Sequence, residues 1–313
     1  MASAYDRIRG MLNAGSWVVL GGPMGAELVR RGVRWRGHGM LTDGPAVQRL
    51  YADYLAAGAD VIRTNTFQLN RRIYLDVFRD ANHMAHIGAP GLAKRHRDLT
   101  RRAVELARAA RDSAGRSEAA IAGVLAPLEH AFRPDLAPLP EIAAQEHAEL
   151  AGILKDAGAD LLILESMNTL PEARVAAAAA ARTGLPFWVS FTLGPDGLLL
   201  GGDLPAGAAR AMRDQGAEAV LVAGVPPADV ARGLGGFGTD GTLGAAPFVG
   251  RYDPPSWKFE FFPRFCDLEI ATPSIVADRV PEWRGAGARI IGTDGGAGPE
   301  HTAALVAARG RGA

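Results

Sequence analysis

The chain has 313 residues, 48% of them hydrophobic, enough for a sizeable core in a globular protein. Its 34 basic and 34 acidic side chains cancel, so charge indicates neither nucleic acid nor a strongly charged partner. A single cysteine excludes an internal disulfide, no run approaches the ~18 apolar residues of a membrane span, and the opening MASAYDRIRGMLNAGSW lacks a signal-peptide core.

Eight short apolar runs follow one another: 17–21, 60–66, 120–126, 160–166, 186–193, 219–224, 247–253 and 289–295. Their near-continuous Val, Ile and Leu content predicts parallel strands covered on both faces. Amphipathic stretches lie between them, including 99–115, 139–159 and the Ala-rich 171–184, and glycines at 58, 158 and 287 supply helix C-caps before the next strand. Eight such units predict a single α/β domain over 1–313, a (β/α)8 TIM barrel. An open doubly wound sheet is the alternative, but it usually carries fewer strands and a G-x-G-x-x-G fingerprint that is absent here. Two elaborations, 67–98 and 132–140, follow strands two and three and so belong to the catalytic face.

In a barrel, chemistry sits at the C-terminal strand ends. Those ends offer Gly22 and Met24 after strand one, Asn65 and Thr66 after strand two, Glu165 after strand four and Ser190 in strand five. Strand seven offers Asp253 and strand eight Asp294. Glu165 closes an otherwise apolar run, an expensive place for a charge without a partner or a ligand. A salt bridge to a neighbouring arginine is the plain alternative. Asn65 either ties loops together or hydrogen-bonds a substrate, Gly22 either makes a turn or lets a ligand approach, and Asp294 either caps the last helix or acts as acid–base group. The glycines of GTDGGAG (292–298) admit a phosphate-loop reading, which Asp294 opposes. His83, His86 and His96 read as solvent or packing histidines, and Trp35 and Trp257 as packing residues, with lining of the site as the alternative.

Several blocks carry a family resemblance. GGPMGAELVRRG (21–32) is similar to a DGGMGTELQRRG segment, YADYLAAGADVIRTNTFQ (51–68) to HxxYLxAGADIITTNTYQ, and HAELAGILKDAGADLLILESMNTLPEA (147–173) to a block ending FETIPxxxEA. WVSF (188–191) and the PEH of 299–301 continue the series, which is collinear from about 17 to 308. The sequence resembles the homocysteine S-methyltransferase family. That resemblance implies methyl transfer from a donor such as S-methylmethionine or S-adenosylmethionine onto a thiol, and it puts Glu165 in the place of a glutamate that binds the substrate's ammonium group.

The departures are concentrated in the metal site. The family's three zinc-binding cysteines, in motifs like GINCxxP and IIGGCCGTTPEH, are matched here by Gly224, Asp294 and Gly295, and its DGG begins here with Gly21. A thiol has a pKa of ~8.5, and zinc held by three thiolates normally delivers it as thiolate. Cys266, between strand seven and its helix, is too remote in sequence to replace them. A rebuilt site from Asp253, Asp294 and a loop histidine such as His38 or His130 finds no spaced ligand motif. The expectation is therefore a cytoplasmic methyltransferase-like enzyme without three-cysteine zinc or other cofactor. It would act on an amino-acid-like small molecule, with Asp294 and Asp253 as catalytic candidates and no nucleic-acid or membrane partner; the oligomeric state stays open. A non-catalytic amino-acid-binding protein, or a barrel lyase or hydrolase, is the rival.

Overall fold

The computed structural model describes residues 3–33, 38–72, 82, 83, 86, 91–250 and 271–311. Eight parallel strands form one sheet: β1 (Val18–Val19), β2 (Val61–Arg63), β3 (Ala120–Leu125), β4 (Leu161–Met167), β5 (Phe187–Thr192), β6 (Ala219–Ala223), β7 (Thr242–Ala246) and β8 (Ala288–Ile291). Each pairs with the next in sequence, and β8 returns to β1 through Val18 opposite Ile290. The ring is completed between β1 and β2, where Leu20 bridges Val61 and Gly21 N donates to Val61 O at 2.8 Å. This is a (β/α)8 barrel.

The helices pack around the ring as the sequence periodicity implies. They begin with α1 (Ala4–Asn13), α2 (Gly25–Arg30), α3 (His38–Thr42) and α4 (Gly44–Ala56). Next come α5 (Leu92–Ser113), α6 (Pro140–Ala157), α7 (Leu170–Thr183), α8 (Pro205–Asp214) and α9 (Val230–Gly236). After the last undescribed stretch follow α10 (Pro273–Asp278), α11 (Val280–Gly285) and α12 (Pro299–Arg311). Gly158 and Gly184 are left-handed C-caps of α6 and α7, at φ +93° and +74°, conformations that cost glycine nothing. None of the described helices is long and apolar enough to cross a membrane.

α1 was not foreseen. Ser3 and Asp6 form a reciprocal capping box at its start, and Tyr5 and Ile8 pack with Leu20, Val61, Ile163, Trp188 and Ile290 inside the barrel. The Trp188 indole donates to Tyr5 Oη at 2.9 Å, so this helix plugs the N-terminal end, opposite the catalytic face.

One strand is displaced from its expected place. The run 247–253 is not strand seven; β7 is the Gly- and Ala-rich Thr242–Ala246. Small residues are required there because a Cβ on Gly244 would lie 2.6 Å from Leu221 Cγ and 2.8 Å from Ile290 O. Packing overrides the weak strand propensity of glycine. The mouth of strand seven is therefore Pro247-Phe248-Val249 and not Arg251 and Asp253, which lie outside the described residues. The elaboration at 67–98 is described only in part. Its Arg72 forms ion pairs with Glu129 at 2.7 Å and Glu146 at 2.9 Å, tying its first turn to α6 and the β3 exit.

Candidate active site

The strand ends converge on a cavity of about 100 Å³ at the catalytic face. Met24, Asn65, Glu165 and Asp294, four of the expected site residues, line it together. Three others are engaged nearby. Thr66 Oγ1 donates to Val124 O at 2.7 Å, stitching β2 to β3, and Ser190 Oγ accepts from Ser166 N at 2.8 Å, stitching β5 to β4. Gly22 packs against Tyr54, whose hydroxyl would be 2.7 Å from a Cβ there, so its glycine makes room for a core ring. Asp253, Trp35, Trp257 and Cys266 lie outside the described residues. His96 is buried beside Glu149, 3.6 Å away and remote from the cavity, in keeping with a packing role.

Sequence reasoning missed the residue at the centre. Arg63, the last residue of β2, is 3% exposed and makes a buried ion pair with Glu165. Its Nε donates to Gly21 O at 3.0 Å and its Nη2 to Thr293 O at 2.6 Å, so one guanidinium joins the ends of β1, β2, β4 and β8. Its signal was a charged residue inside VIRTNT, where the similar family block has Thr. Glu165 therefore has a partner from its own chain.

Two carboxyls face this one cation. Burial pushes Glu165 from the ordinary 4.5 up to about 7; Arg63 opposes that rise and Asp294 adds to it. Asp294 is also raised, chiefly by burial, against the pull of Arg63 and of hydrogen bonds from Gly295 N at 2.9 Å and Ser166 Oγ at 3.4 Å. With one cation for two acids in an apolar setting, the state with one proton between the carboxyls is favoured. Phe67, Phe132, Phe248 and Met24 supply the apolar wall, with the Phe132 and Phe248 rings edge to face at 6.4 Å.

The backbone is strained at this spot. Ser166 at φ +56° and Gln68 at φ +53° are the non-glycine residues with left-handed backbone among those described, and both line the cavity. Such conformations cost on the order of 1–3 kcal/mol and persist where surrounding contacts enforce them. At Ser166 the enforcement is visible: its N–H is held by Ser190, and the β4–β5 register shifts between Leu164 and Met167.

The homocysteine S-methyltransferase family model matches residues 18–309. The chain belongs to that family. Homocysteine S-methyltransferase of Escherichia coli (strain K12) is 28% identical over 325 residues, covering 93% of this chain and 94% of the relative. The crystal structure of the E. coli homocysteine methyltransferase in its metallated form superimposes with a TM-score of 0.74 at 24% identity, covering 96% of this chain and 99% of the other. The apo form gives 0.71 at 22% identity with the same coverage, a likeness that bears on the fold alone.

The residues at the family's metal position do not fit a three-thiolate zinc ion. Gly224, Asp294 and Gly295 provide one carboxylate and no sulfur. Among the described residues, no group of three His, Cys, Asp or Glu side chains is placed to hold a metal. The space for thiolates is also filled. A Cβ on Gly295 would lie 2.2 Å from Phe248 Cε2, and one on Gly224 would collide with the Thr192 methyl, at a backbone φ of +69° that side chains rarely adopt. Phe248 is fixed there because Val249 N and Gly250 N both donate to Gly295 O, at 3.0 and 3.1 Å, while Asp294 N donates to Pro247 O at 2.8 Å. The glycines of 292–298 serve this close approach: a Cβ on Gly296 would be 2.7 Å from Gly250 N.

Proposed function

We propose that this chain transfers a methyl group from a sulfonium donor, of the S-methylmethionine or S-adenosylmethionine kind, to the sulfur of a homocysteine-like thiol, and that it does so without three-cysteine zinc. The observation that carries the proposal is the carboxyl pair Glu165–Asp294 on one cavity wall with Arg63, in a chain of this family.

A thiol with a pKa of ~8.5 is mostly protonated at neutral pH and needs a base. A buried carboxyl held above its ordinary range is such a base, and Asp294 is the one without an ion-pair partner within the cavity wall. The thiol proton passes to Asp294 as sulfur bonds the methyl carbon. The sulfonium S–CH3 bond breaks, and its electron pair leaves on a neutral thioether. A carboxylate and a sulfonium cation thereby become an acid and two thioethers. Loss of both charges is favoured in an apolar cavity, which solvates ions poorly.

The test is a methyl-transfer assay of the purified chain with homocysteine and other thiols against both sulfonium donors, run beside metal analysis. Turnover that survives a chelator and falls about 10²–10⁴-fold in Asp294→Asn is the expected result. Absence of transfer from either donor to any thiol, or stoichiometric zinc whose removal abolishes transfer, would refute the proposal.

A further inference from the structure

The site's charges bear on what the acceptor carries besides its sulfur. Arg63 has five N–H groups. Three are used, on Gly21 O, Thr293 O and the Glu165 carboxylate. Two remain, and Arg63 is the only Arg or Lys among the described residues lining the cavity. An ammonium group brought to Glu165 would stand against this guanidinium, two like charges in a water-poor site. Asp294 offers no substitute: its oxygens already accept from Gly295 N at 2.9 Å and Ser166 Oγ at 3.4 Å, and on the transfer reading it stands at the thiol to receive its proton. A carboxylate would instead bring the opposite charge to this guanidinium, whose Nη1 and Nη2 each keep one N–H unspent. The apolar wall of Phe67, Phe132, Phe248 and Met24 suits an unsubstituted methylene chain.

Resting on the methyl-transfer reading, we infer that the acceptor is a thiol acid without a free α-ammonium group, and that Arg63 is the residue that selects it. Arg63 occupies the ground an α-ammonium would need and offers a carboxylate the two N–H groups it does not spend on the barrel. The family block has Thr at this place, so the change from Thr to Arg reverses the sign of the charge the site receives.

Calorimetry separates this from the methyl-transfer reading, because it needs no turnover. The paired ligands are 4-(methylthio)butanoate and methionine, the methylated forms of 4-mercaptobutanoate and homocysteine, which differ only in the α-amino group. The unsubstituted acid should bind the wild-type chain at least about tenfold more tightly, a difference of about 1.4 kcal/mol. Arg63→Lys should keep the preference, and Arg63→Thr should abolish or reverse it. If Arg63→Thr does not fold, the wild-type pair decides alone. Methionine binding as tightly as the unsubstituted acid, or neither ligand binding, overturns the inference. In the transfer assay, homocysteine turned over ahead of 4-mercaptobutanoate overturns it while leaving methyl transfer standing. The binding preference without any turnover supports it and removes the transfer reading.

Discussion

Arg63, Glu165 and Asp294 form a unit whose parts cannot be changed independently. Removing the guanidinium in Arg63→Met leaves the Glu165 carboxylate and the carbonyls of Gly21 and Thr293 without their donor. Breaking one side of a buried pair costs about 3–5 kcal/mol, so the unfolding free energy extrapolated from urea titration is expected to fall by that amount. The pH dependence has a definite sign. Glu165 is raised from 4.5 to about 7, so over that window the folded state binds more protons than the unfolded one. Its contribution to stability therefore falls as pH rises from about 4.5 to about 7, and Asp294, also raised, acts in the same direction. Thermal melts across that range should show the wild-type chain losing stability toward neutral pH, with a flatter curve in Glu165→Gln. Sequence alone located Glu165 and Asp294, because acidic residues at the ends of apolar runs stand out. It passed over Arg63, because a long arginine at a strand end also reads as a side chain reaching solvent, and only the closed ring turns its head inward.

At the scale of elements, the informative case is β7. Seven apolar runs coincide with strands to within a few residues, since Val, Ile and Leu mark a doubly covered strand. β7 carries Gly244, Ala245 and Ala246 where Leu221 and Ile290 leave no room for larger residues, so hydrophobicity pointed instead to the segment that follows. The error hid the site's most consequential side chain, Phe248, which belongs to the strand's exit and not to its middle. Gly244→Val should destabilise by about 1–3 kcal/mol through overpacking, read as a lower denaturant midpoint with unchanged slope. Gly295→Ala should cost a similar amount for a different reason, the displacement of Phe248. Phe248→Ala combined with it should recover part of the loss, a coupling that a double-mutant cycle measures.

For the molecule as a whole, the barrel is tied at both ends by buried charge. Opposite the site, the 1% exposed Asp60 accepts from Val19 N at 2.8 Å and pairs with Arg7 of α1 and Arg309 of α12, joining the first helix and the last to the β1–β2 seam. Asp60→Asn should lower global stability by about 1–3 kcal/mol without altering ligand binding at the other end, a separation that melting and calorimetry together would reveal. The ring itself was legible from eight recurring runs; the two charged fastenings were not, because each joins residues far apart in the chain. The Phe248 ring over Gly295 also has a historical consequence. If the site works without three-cysteine zinc, as proposed, a lineage carrying this ring would not gain such a centre one step at a time. A cysteine at 295 meets the ring, a cysteine at 224 meets Thr192 in a backbone shape that resists side chains, and neither alone can hold an ion. Under the proposed zinc-free reading, each single step toward thiolate ligands would carry a packing cost before an ion could be held, and the ring would act as a ratchet against them.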